Sequence, residues 1–331
     1  MNSFGKLFKV SIFGESHGTS VGIVIDGCPA GIPLEPEDFE ADFSRRKSGA
    51  KGTTPRKEPD TPRLMSGVFN KRTTGAPLMI LFENTNTRSQ DYGQLKDIPR
   101  PGHADYTAQV KFGGYQDYRG GGHFSGRLTL GLVAAGVIAK KIIAPSGVSA
   151  TILEAGGNSD VEAAIDRAME NGDSIGGIVQ CVISPVPAGL GEPFFDSMEA
   201  VMSHLIFSIP AIKGIEFGSG FRAAKMTGSE HNDNIISRDG TTETNYAGGI
   251  NGGISNGNEI VFRVAVKPTS STHRTQRTLN MASGEMVDLT VEGRHDTCIA
   301  LRVPVVVEAA AAMVMADFML QAQKTKRIIE S

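Results

Sequence analysis

The chain has 331 residues, with 33 basic and 36 acidic side chains and a formal charge of −3. That balance gives no whole-molecule attraction for a polyanion, so nucleic acid is not an expected partner and any anion site must be local. Cys28, Cys181 and Cys298 are odd in number and far apart, which fits neither a disulfide framework nor a CxxC metal site, and forty dispersed glycines indicate many turns instead of one linker.

The first six residues lack an apolar signal core. No uninterrupted apolar run reaches the roughly 20 residues that cross a bilayer, so the expectation is a cytoplasmic protein with no membrane partner. Residues 8–13 and 21–27 are β-rich runs around Gly14-Glu15-Ser16-His17-Gly18. This predicts strand, tight polar turn, strand, with His17 at the tip; a lone Ser-His pair there reads more often as an ordinary turn. Residues 39–47 begin acidic and end at Arg45-Arg46-Lys47, as a short helix with a favourable dipole should. The stretch 48–60, broken by Gly and Pro and carrying Lys51, Arg56 and Lys57, reads either as a solvated loop or as a cationic lid over anionic ligands. Residues 64–84 read as two strands around a turn at 70–75, the second buried at 78–82.

Residues 119–126, Arg-Gly-Gly-Gly-His-Phe-Ser-Gly, run directly into a stretch at 127–141 that is apolar nearly all round. The pattern predicts a buried helix whose free N-terminal N–H groups can cradle an anion. It is not a dinucleotide fingerprint: Ser125 stands at the third glycine position, and no strand-helix-strand unit follows. From residue 150 the order starts again. Gly22-Ile23-Val24 ahead of Pro29-Ala30-Gly31 recurs as Gly177-Ile178-Val179 ahead of Pro187-Ala188-Gly189, and residues 294–302 leading into an Ala- and Met-rich helix echo 119–127. We read an internal β-α duplication about a pseudo-twofold, the two halves sharing one core, so that residues 1–331 form a single unit. No His pair or Cys/His spacing suits a metal, and none is expected.

Taken together, Gly14-Glu15-Ser16-His17-Gly18, Arg100-Pro101-Gly102-His103-Ala104-Asp105, Asp117-Tyr118-Arg119-Gly120-Gly121-Gly122, Lys267-Pro268-Thr269-Ser270-Ser271 and Gly293-Arg294-His295-Asp296 resemble, in order, the signatures of the chorismate synthase family. The resemblance implies an α+β fold with buried helices sandwiched between antiparallel sheets, assembled as a homotetramer. It implies the anti-1,4-elimination of phosphate and a ring proton from 5-enolpyruvylshikimate 3-phosphate to give chorismate. Reduced FMN is then required without net redox change, with NADPH as a candidate reductant of the flavin.

By resemblance, His17 protonates the departing phosphate, His103 protonates the flavin ring, and Asp296 works through flavin N5 in removing the ring proton. His123, Phe124, Ser125, Glu230, His231, Gly252, Lys267, Pro268, Thr269, Ser270, Ser271 and Arg294 match flavin positions. Arg46 and Lys51 match a pyridine-nucleotide contact, and Ser16, Arg45, Arg46, Arg100, Arg119 and Arg127 are candidates for the substrate. The residue types suit the work: arginine meets carboxylate and phosphate with two parallel hydrogen bonds, and histidine titrates near neutrality. The chain departs from many relatives in having His123-Phe124 for Arg-Ser, Lys51 for Arg, and Glu230-His231 for a more neutral pair. Two other readings stay open at this point: a polyanion-binding protein that uses residues 45–57 on nucleic acid, and a flavin oxidoreductase that consumes its reductant.

Overall fold

The computed structural model describes residues 2–54, 58–86, 95–291 and 295–323. Arg56, Lys57 and Arg294 therefore lie outside the described residues. One antiparallel sheet is built from β1 (Ser3–Phe4), β2 (Lys9–Gly14), β3 (Ser20–Asp26), β4 (Arg63–Ser66) and β5 (Leu78–Glu83). A second is built from β6 (Gly147–Ala155), β7 (Gly177–Ser184), β8 (Ile212–Phe217) and β9 (Ile260–Val266). In β9 every second residue is buried, the period-two pattern of a strand with one face on a core.

The helices are α1 (Glu40–Arg46), α2 (Asp105–Phe112), α3 (Thr129–Ile143), α4 (Val161–Glu170), α5 (Met198–Ile206), α6 (Gly228–His231) and α7 (Val303–Gln321). Across the first sheet the strands lie β1-β2-β3-β5-β4, and across the second β6-β7-β9-β8. Setting the edge strand β1 aside, each sheet takes its four strands in the same order: first, second, fourth, third. A helix follows the second strand of each set (α1 and α5), and a long buried helix follows the fourth (α3 and α7). The duplication read from the sequence is thus a duplication of topology.

Helices α3 and α7 pack against each other between the sheets, inside one continuous apolar cluster that draws on both halves of the chain. They are apolar around nearly their whole circumference because each has a sheet on one side and a helix on the other. Close approach depends on small residues: a Cβ added to Gly136 would lie 2.3 Å from the Ala309 Cβ and 2.5 Å from its Cα. Pro304 sits in the first turn of α7, where its missing N–H costs nothing.

One segment comes near the length and apolarity of a bilayer span. Residues Ile299–Gln321 are long and apolar enough to span a bilayer by length and composition, but the segment is mostly buried inside the fold. Two acidic groups interrupt the run, and both are satisfied: Glu308 by Arg45, Lys140 and the Ala150 N–H, and Asp317 by the N–H groups of Lys6, Leu7 and Phe8. It is a core helix.

Candidate active site

The N-termini of α3 and α7 come together at one end of the helix pair, and two cavities of about 650 Å³ and 520 Å³ open beside them. They share a wall of Gly120, Ser125, Gly126, Ile209, Pro210 and Ile299. The volumes fall within the usual range for small-molecule and cofactor sites, roughly 300–1,000 Å³.

The smaller cavity is cationic. Arg46, Arg100, Arg127 and Arg302 line it, with Asp60 and Asp296 between them. Arg46 closes the buried stripe of α1, following Phe39 and Phe43 at helical spacing. Its Nη2 donates to Asp60 at 3.2 Å, and Arg127 Nη1 donates to the other Asp60 oxygen while its Nε donates to Asn84 at 3.0 Å. Arg302 Nε donates to the Arg46 carbonyl at 2.9 Å and its Nη1 to Asp296 at 3.2 Å; Asp296 also accepts the Thr54 N–H at 2.9 Å. Burial pushes the Arg46 pKa down to about 10 against the pull of Asp60, so the group is still cationic at neutral pH. Arg46 Nε is buried and has no partner among the described residues, a donor suited to an anionic ligand.

His17 lies in the turn between β2 and β3, as the sequence led us to expect; neither it nor Ser16 lines either cavity, and both sit behind the shared wall at Gly120. The ring packs under Gly120, which is in the left-handed region at φ +57; a Cβ there would lie 2.5 Å from His17 Cδ2 and 3.0 Å from Ser16 Oγ. Only glycine lets the ring and the loop meet. Ser16 is fixed by its N–H, which donates to the Gly122 carbonyl at 3.0 Å, while its buried Oγ has no partner among the described residues.

His103 stands in the wall of the larger cavity. Its Nδ1 lies 2.6 Å from Asp105, which also accepts the Arg100 Nε and Nη2 at 2.8 Å each. Nδ1 also lies 3.0 Å from Arg100 Nη2, but the shorter contact is to a carboxylate that can only accept, which favours the proton on Nδ1 and leaves Nε2 near Gly121. Burial alone would raise the Asp105 pKa, but the hydrogen bonds from Arg100 and His103 outweigh it and hold the carboxyl well below the usual range.

The rest of the larger cavity joins apolar walls to a cationic end. Leu205, Ile212 and Met313 line it beside Phe124, and Lys213 and Lys267 line it with Pro268, Thr269, Ser270 and Ser271. Lys267 Nζ donates to Ser270 Oγ at 2.7 Å and to the Gly102 carbonyl at 3.1 Å; burial and then the charge of Lys213 lower its pKa. Thr269 Oγ1 is buried without a partner among the described residues. His123 Nδ1 donates to the Gly14 carbonyl at 2.8 Å, tying the glycine loop to β2. Apolar walls together with Lys213, Lys267 and the hydroxyls of residues 269–271 suit a ligand that joins an apolar body to a phosphate.

Several sequence candidates do not converge here. Arg45 leaves the stripe that carries Arg46 and makes a two-bond pair with Glu308, 2.7 Å at each nitrogen. Arg119 pairs with Asp117, its Nε and Nη2 each donating at 2.8 Å, and Lys51 meets Asp166 of α4 at 2.6 Å on the surface. Glu230 accepts the Thr227 N–H at 2.8 Å as the reciprocal half of a helix cap, His231 bonds Ser219 at 2.9 Å, and Gly252 occupies a turn. None of these six lines either cavity. Conversely, the sequence reading passed over Asp60, Lys213 and Arg302. A signal for Arg302 was present, since the repeat sets it opposite Arg127; none marked Asp60 or Lys213.

Residues 8–320 match the family model described as Chorismate synthase. Over 332 residues the chain is 64% identical to the chorismate synthase of Chitinophaga pinensis, covering 100% of both chains. It is 45% identical to that of Dehalococcoides mccartyi, covering 99% of each. A crystal structure of a chorismate synthase matches with a TM-score of 0.74 at 25% identity, over 96% of this chain and 93% of the other. With matches of that extent in sequence and in structure, the chain belongs to the chorismate synthase family.

Proposed function

We propose that the chain converts 5-enolpyruvylshikimate 3-phosphate to chorismate by anti-1,4-elimination, with the substrate in the cationic cavity and reduced FMN in the larger one. The observation that carries this reading is the group of buried Arg46, Arg100 and Arg127 with half-buried Arg302, beside a cavity also lined by Lys213 and Lys267. Such an arrangement suits two multiply charged anions in contact.

The arginines bind the phosphate and carboxylates and exclude water from the reacting face. His17, held under Gly120, gives a proton to the phosphate oxygen as the C–O bond breaks. Asp296, oriented by Arg302 and the Thr54 N–H, is the acceptor for the ring proton as the C–H bond breaks and the new C=C bond forms. His103, with Nδ1 committed to Asp105, presents Nε2 for proton exchange on the other side of the glycine loop. Lys267, Thr269, Ser270 and Ser271 would hold the flavin phosphate, and His123, Phe124 and Ser125 the ring. Reduced FMN, when bound, would supply an electron-rich ring that stabilises the charge developing at the breaking C–O bond.

The finer parts of the reading follow. Arg46 and Lys51 share no cavity, so we take the flavin to arrive reduced, with NADPH acting elsewhere. Glu230, His231 and Gly252 can meet the flavin only if a second copy of the chain presents them, which agrees with a homotetramer. The protein then works as a single unit over residues 1–331 in the cytoplasm, with no nucleic-acid or membrane partner. The test is anaerobic: with chemically reduced FMN, phosphate and chorismate should appear one for one from the substrate, and with oxidised FMN neither should. Absence of phosphate release with reduced FMN would overturn the proposal.

A further inference from the structure

Asp60 has no part in the chemistry above, yet the cationic cavity is arranged around it. Its carboxylate is 3% exposed, with one oxygen accepting from Arg46 and the other from Arg127. These arginines arrive from separate elements, the end of α1 and the lead into α3, and no local geometry brings them together. The Asp60 backbone is left-handed at φ +54, a conformation that Asp and Asn tolerate better than other non-glycine residues. The fold thus accepts an unfavourable backbone to put one carboxylate between two buried guanidiniums. With Arg302 bonded to the Arg46 carbonyl, the cluster carries three cations on Arg46, Arg127 and Arg302 against Asp60 and Asp296. Each arginine gives Asp60 one Nη; Arg46 Nη1 also meets Thr129 Oγ1 at 3.5 Å and Arg127 Nη2 the Glu83 carbonyl at 3.4 Å, while the buried Arg46 Nε has no partner among the described residues.

We infer that Asp60 is a positioning residue that aims Arg46 and Arg127 at the phosphate of one multiply charged ligand. Two simpler roles make opposite claims. A plain counter-ion only lowers the site's charge, so removing it should tighten anion binding. A structural brace only adds stability, so removing it should leave the affinity of the folded protein unchanged. A positioning group, when removed, loosens anion binding even though the site becomes more positive. The identity of the organic ligand rests on the function proposed above; the inference about Asp60 needs only that a phosphate binds.

The experiment uses the full-length protein with two probes, inorganic phosphate by titration calorimetry and the enolpyruvyl phosphate ester in the anaerobic assay. Asp60→Asn keeps shape and suits the left-handed backbone; Asp60→Glu keeps the charge and moves it by one methylene. Both variants should raise the phosphate Kd and the KM for the ester by about tenfold or more, with kcat changing less, because displacing a positioned group by about 1 Å costs up to roughly 100-fold. The inference is overturned if Asp60→Asn binds phosphate as tightly as wild type or more tightly, if Asp60→Glu leaves both constants unchanged, or if wild type binds no phosphate. Should Asp60→Asn not fold, Asp60→Glu decides alone. Wild type that binds phosphate but never turns over the ester sinks the proposed reaction, while the phosphate titrations still decide for Asp60.

Discussion

His17 and His103 occupy different surroundings, one packed under a glycine loop and the other locked by a carboxylate, and separate roles follow from that. Replacing either with Ala should lower turnover by roughly 100- to 10,000-fold, the usual range for a positioned acid or base, with the melting temperature little changed. A double variant that keeps more than a tenth of wild-type turnover would remove both from the mechanism. Arg45 should behave in the opposite way. Losing its pair with Glu308, while Lys140 remains, should cost about 1–3 kcal/mol of stability in urea and leave kcat/KM of the folded enzyme near wild type. Asp105 adds a pH signature. Its carboxyl pKa is depressed below the ordinary 3.8, so its contribution to stability is complete above about pH 4 and is lost as pH falls toward the folded value. Asp105→Asn should therefore flatten the dependence of melting temperature on pH between about 5 and 2, and an unchanged slope would contradict the assignment. At this scale the sequence was only partly legible. His17, His103 and Asp296 were singled out because motifs carry them, whereas Arg46 lies outside those motifs and was grouped with Arg45 although residues adjacent on a helix point about 100° apart. The spacing of Phe39, Phe43 and Arg46 already separated the two. Asp60 was illegible because its partners are distant in sequence.

Among the elements, the duplication was the most legible feature, since each copy repeats a strand pair, a helix, two more strands and a buried helix. Topology adds what a linear repeat could not: the fourth strand enters between the second and the third in both sheets, and the two long helices meet back to back. That meeting sets Arg127 and Arg302 beside one cavity. The contact depends on Gly136. Glycine to alanine within a helix ordinarily gains up to about 1 kcal/mol, but here the new Cβ would overlap Ala309, whose backbone cannot yield without moving α7. Gly136→Ala should instead destabilise by about 1–3 kcal/mol, measured by urea unfolding. A gain in stability would mean that the helices are farther apart than described. The polar stretch 217–249 was least legible, because its caps and turns, such as Glu230 on Thr227, are local solutions that leave no periodic trace.

For the whole molecule, one core serves both halves, and the three cysteines report on it from three places. Burial pushes the Cys28 thiol up to about 12 and raises Cys181 and Cys298 as well. None should react with Ellman's reagent at pH 8 in the native protein, and all three should react in denaturant; rapid native labelling would contradict a shared core. The central claim of the proposed function is chemical: the elimination is redox-neutral, and the flavin proposed beside it would be needed reduced but not spent. Its most direct test is the ratio of chorismate formed to electron pairs consumed, measured anaerobically with FMN reduced once by a known amount of dithionite. Many products per electron pair are expected. A ratio of one would contradict the account and make the protein an oxidoreductase.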